Sequence, residues 1–85
     1  MHLPATRIDW FRVLIDLGQY GHTTRAIAGR LDVGVGTVMG WKQGSEPAHY
    51  LGDRLIHLWL SATDRPRDQI PTVPIHPRIV VHSGR

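Results

Sequence analysis

Residues 23–44, TTRAIAGRLDVGVGTVMGWKQG, decide the fold. Thr23 and Thr24 are cap residues, whose hydroxyls accept hydrogen bonds from the free amides of a first helical turn. From there Ile27, Ala28 and Leu31 recur at i, i+1 and i+4 while Arg25 and Arg30 fall away from that face, the pattern of a helix about two turns long. Asp32-Val33-Gly34 breaks the period. Val38 and Trp41 resume it at i and i+3, and Gly44 supplies a C-terminal stop. The segment predicts two short helices joined by a tight turn.

On the N-terminal side, Thr6 reads as the N-cap of an earlier helix, with Asp9 answering the first-turn amides. Ile8, Phe11 and Ile15 would form its apolar face, with Trp10, Leu14 and Leu17 beside them, and Gly18 and Gly21 would end it. On the C-terminal side, Pro47 suits a first helical turn, and Leu51, Leu55, Leu58 and Ala62 then recur at i, i+4, i+7 and i+11. A second apolar set on this helix, Ile56, Trp59 and Leu60, exceeds what one small neighbour covers and is expected at a subunit interface. From Asp64 onward Pro66, Pro71, Pro74 and Pro77 prevent a long helix, leaving residues 75–81 as a candidate strand within a linker or arm. The expectation is an all-α domain of four or five helices over residues 1–63, followed by a Pro-rich turn and arm over 64–85.

Composition narrows the function classes. A chain of 85 residues, 41% apolar and 20% charged, has room for one globular domain with a modest core. It contains no cysteine, which excludes a disulfide framework, a zinc ribbon and a thiol nucleophile. No apolar run approaches the roughly 20 residues that span a bilayer. The opening MHLPATRIDW lacks the charged and apolar regions of a signal peptide, so a cytoplasmic protein without a membrane partner is expected. Lysine and arginine number 10 against 7 acids, a formal net charge of +3. Lys42 is the only lysine; the remaining basic residues are arginines, whose planar fork donates two hydrogen bonds to one phosphate.

The placement of residues in the 23–44 segment resembles the helix-turn-helix of the lambda-repressor-like family, which includes phage Cro and repressor proteins and many small bacterial regulators. Ala28 stands where two helices cross closely, Val33 is the apolar residue of the turn, and Val38 and Trp41 anchor the second helix. With the flanking helices, 9–18 and 48–63, the resemblance covers most of the first 63 residues. It implies a recognition helix over 34–43 in the major groove of DNA, reading through Val35, Gly36, Thr37, Met39, Gly40 and Gln43. It further implies phosphate contacts from Thr24, Arg25 and Lys42. Two features depart from the family: Asp32 stands where glycine usually makes the turn, and glycines stand at 34, 36 and 40 in place of polar readers. Either the bare backbone approaches DNA closely, with specificity from Gln43, Val35 and DNA shape, or the fold binds a protein.

Sequence-specific binding to double-stranded DNA follows as the expected function, in a small transcriptional regulator or repressor that occupies its operator as a dimer. Such a protein would associate with the nucleoid. The alternative is a phage-type inhibitor or adaptor that binds protein on the same fold. Dimerisation would use Ile56, Trp59 and Leu60, or edge pairing through Ile79 and Val81. Catalysis is not expected, because no serine or threonine is patterned with histidine and carboxylate and no phosphate-binding glycine loop follows a strand. No cofactor or metal is expected either. His49, Asp53 and His57 share a helix face, but the two histidines stand two turns apart. Trp10, Trp41 and Trp59 read as core or interface, and Arg65 and Arg67, flanked by Asp64 and Asp68, as a solvated turn.

Overall fold

The computed structural model describes residues 5–75. The order is β1 (Thr6–Ile8), α1 (Trp10–Gln19), α2 (Thr24–Leu31), α3 (Val35–Lys42), α4 (His49–Thr63), a single 3-10 turn (Arg67–Gln69) and β2 (Thr72–Pro74). The fold is mostly helical, with one small antiparallel sheet in which Thr6 faces Pro74, Arg7 faces Val73 and Ile8 faces Thr72. Among the described residues no helix is long and apolar enough to cross a membrane.

The N-terminal helix begins later than the Thr6 cap predicts. Thr6 and Ile8, both β-branched, lie in β1, and Asp9 is the cap, its Oδ1 accepting from the Arg12 amide at 3.1 Å. The buried face of α1 shifts accordingly. Trp10, Val13, Leu14 and Leu17, spaced i, i+3, i+4 and i+7, meet the core, whereas Phe11 is 51% exposed and Ile15 half-buried. The strand expected over 75–81 lies, beyond Ile75, outside the described residues, and a separate extended segment precedes it. The extended segment is Thr72–Pro74, held within the chain by β1, with the Asp9 amide donating to the Pro71 carbonyl (2.9 Å) and the Ile75 amide to the Ala5 carbonyl (2.9 Å). Ile79 and Val81 lie outside the described residues.

One apolar cluster joins all four helices: Val13, Leu14 and Leu17 of α1 meet Ile27, Ala28 and Leu31 of α2, Val38 and Trp41 of α3, and Leu51, Leu55, Leu58 and Trp59 of α4. Trp59, expected at a subunit interface, is 0% exposed. Its indole Nε1 donates to Asp16 Oδ2 at 3.0 Å, and the Arg65 guanidinium lies 5.1 Å from the ring centroid. Ile56 is buried too, beside Ile8 and Trp10, and Leu60 packs half-buried on the core. The apolar residues of α4 that were expected at a subunit interface are thus buried (Ile56, Trp59) or half-buried (Leu60) within the single chain. Gly52 of α4 permits the close approach of Trp10: a Cβ there would stand 3.1 Å from the Trp10 ring. Pro47 sits just outside α4, before the Ala48 N-cap, and not in its first turn.

Candidate nucleic-acid interface

The α2–turn–α3 unit is fixed by its caps. Thr23 Oγ1 accepts from the Ala26 amide at 3.0 Å, opening α2 as its spacing predicts. At the other end Asp32 adopts a left-handed conformation (φ 57°, ψ 47°), and the Val33 amide returns to the Ala28 carbonyl at 3.0 Å. Asparagine and aspartate tolerate this conformation better than most residues, so Asp32 fills the place of a turn glycine. Val33 then packs on the core and Gly34 starts α3 without a side-chain cap. Gly44, at φ 116°, closes α3 in the same way, with the Ser45 amide on the Gly40 carbonyl at 3.0 Å; here the backbone does require glycine.

Val38 and Trp41 are buried, so α3 turns its opposite side to solvent. On that side Val35, Met39 and Gln43 stand four residues apart along one line, and Gly36 and Gly40 form the adjacent line. Val35 is 37% and Met39 43% exposed; Gly36 and Gln43 are exposed and Gly40 is half-buried. Thr37 is exposed as well, but its position on the helix turns it away from the Val35 line. A Cβ added at Gly36 would meet nothing within 4 Å, and one at Gly40 only Ser45, at 3.7 Å. No charged side chain occurs in α3 before Lys42.

The expected phosphate contacts fall at the start of α2. Lys42 Nζ donates to Thr24 Oγ1 at 3.0 Å, which ties the last turn of α3 to the first turn of α2. Arg25 is exposed beside them and forms no ion pair among the described residues. Arg25 and Lys42 thus place basic charge at the first turn of α2, the positive end of that helix, an arrangement suited to an anion. Sequence reasoning missed Phe11, which shares a hollow with Trp10, Trp41, Lys42 and Gln43 at the end of α3. The signal was available, because Trp10 and Leu14 already fill the core-facing positions on either side of it.

Other constellations do not assemble. His49, Asp53 and His57 are all exposed on α4, and among the described residues no three histidine or acidic side chains gather to hold a metal ion. Arg54 of α4 has a structural role, its Nη2 donating to the Arg30 backbone carbonyl at 2.8 Å, at the negative end of α2. Comparison with protein-family models, curated proteins and solved structures finds no match for this chain.

Proposed function

We propose that α2, the turn and α3 form a helix-turn-helix that binds double-stranded DNA, with α3 in the major groove, and that the protein is a small transcriptional regulator acting by operator occupancy. One observation carries this reading. Ala28, Val38 and Trp41 lock α2 and α3 together from within, so that α3 keeps one open face bordered by Arg25 and the Thr24–Lys42 pair. Phosphate contacts fix the register of such a helix on the duplex, and the open face meets the bases. Binding as a symmetric dimer belongs to the same proposal; with Ile56 and Trp59 in the core of a single chain, pairing would draw on residues 75–81.

Titration of duplex DNA with the wild type and Arg25→Ala across a salt series tests the reading. Loss of one phosphate contact lowers the slope of log affinity against log salt by about one unit and weakens all duplexes alike. An unchanged slope removes Arg25 from the interface. A second reading, a protein-binding module on the same fold, is favoured by the uncharged outer face of α3, and it predicts that neither Arg25→Ala nor Lys42→Ala matters to partner binding.

A further inference from the structure

Resting on the DNA-binding reading, we infer that α3 recognises its site mainly through the C5-methyl groups of pyrimidines, and only secondarily through hydrogen bonds to base edges. The outer face offers little else. Its exposed line is Val35, Met39 and Gln43, the adjacent line is the bare backbone of Gly36 and Gly40, and the first charged side chain, Lys42, is bound to Thr24. A face of this kind has one amide to pair with a base and two apolar side chains held out from the backbone. The major groove presents one apolar group, the pyrimidine C5-methyl, carried by thymine and by 5-methylcytosine. Val35 and Met39 are exposed beside glycines that add no side chain of their own, so a methyl group can reach them as the helix seats.

The occupant is argued from charge as well as from shape. An apolar partner protein would have to place Arg25 and the Lys42 ammonium at its rim, whereas a duplex brings phosphates to both sides of the groove in which the apolar line lies. The polyanion satisfies the rim and the methyl groups satisfy the centre.

The test starts from a random 30-base-pair duplex library retained by the wild-type protein. The retained pool is resynthesised with uracil in place of thymine, and again with uracil plus 5-methylcytosine in place of cytosine. Burying one methyl group corresponds to about fourfold in affinity, so loss of two methyls weakens binding by roughly 15-fold at a single half-site and by roughly 250-fold where a dimer loses them at both. The 5-methylcytosine pool, whose methyls stand at cytosine and not at the emptied thymine positions, does not recover the loss, and full recovery there overturns a contact in register with α3. The double variant Val35→Ala/Met39→Ala, changed only at exposed positions, binds the thymine and uracil pools alike, while Arg25→Ala weakens both and keeps their ratio. Equal wild-type affinity for thymine and uracil pools overturns the methyl reading and leaves DNA binding standing. Failure to retain any duplex, at low salt as well as high, overturns DNA as the occupant of this face altogether.

Discussion

Replacing both Gly36 and Gly40 by alanine separates what α3 needs to fold from what it needs to bind. Glycine inside a helix costs about 0.5–1 kcal/mol relative to alanine, through backbone entropy. Neither site exacts a steric cost in return: the new Cβ at 36 meets nothing within 4 Å, and the one at 40 makes an ordinary 3.7 Å contact with Ser45 Oγ. The double variant is therefore more stable by about 1–2 kcal/mol. For a domain of this size, roughly 4–8 °C of melting temperature accompanies each kcal/mol, so thermal unfolding followed by circular dichroism registers a rise of about 4–16 °C. Gly36 lies at the centre of the exposed face, where an added methyl holds the helix off the bases, so affinity for the selected duplex falls as stability rises. Gly29→Ala in α2, equally open, supplies the control: it stabilises by the same amount per site and leaves affinity unchanged. A melting temperature that falls in the double variant refutes the energetic argument. Unchanged DNA affinity refutes the close approach of the backbone.

Two further perturbations probe the packing that holds α3 in place. Asp16→Ala leaves the buried Trp59 indole N–H without its acceptor and costs about 1.5–3 kcal/mol by chemical denaturation, whereas Asp16→Asn keeps an acceptor oxygen and costs clearly less; equal losses would remove the hydrogen bond as the cause. Gly52→Ala drives a Cβ to 3.1 Å from the Trp10 ring and destabilises by about 1–3 kcal/mol, and pairing it with Trp10→Leu recovers part of the loss. Additive losses in that pair would show that the ring and the glycine do not interact.

Legibility in the sequence followed the strength of local signals. The 23–44 segment was readable because cap, period and stop agree: Thr23 caps α2, Ile27, Ala28 and Leu31 are buried, and Gly44 closes α3 at positive φ. The start of α1 is not decided locally, because Thr6 and Asp9 are both good caps and local chemistry does not choose between them. The choice is made by β2, more than sixty residues away in the chain, which takes Thr6–Ile8 as a strand. The burial of Trp59 is hidden from the sequence for a related reason. Its burial depends on Asp16 from α1 accepting the indole N–H and on Arg65 covering the ring, partners that no periodicity within α4 announces. Among the candidate site residues, the pairing of Lys42 with Thr24 joins two positions that the sequence marked separately, each as a phosphate contact. The exposure of Val35 and Met39 follows from the 3.6-residue period once Val38 and Trp41 are placed inside.

The central claim, that the open face of α3 reads duplex DNA, is tested most directly by selection from a random duplex library at two salt concentrations, with sequencing of the retained molecules. The account predicts an enriched two-fold symmetric motif with half-site centres about 10 base pairs apart, rich in thymine where α3 meets the groove. Retention that disappears with salt and enriches no motif would contradict it, leaving only electrostatic contact between arginines and phosphate.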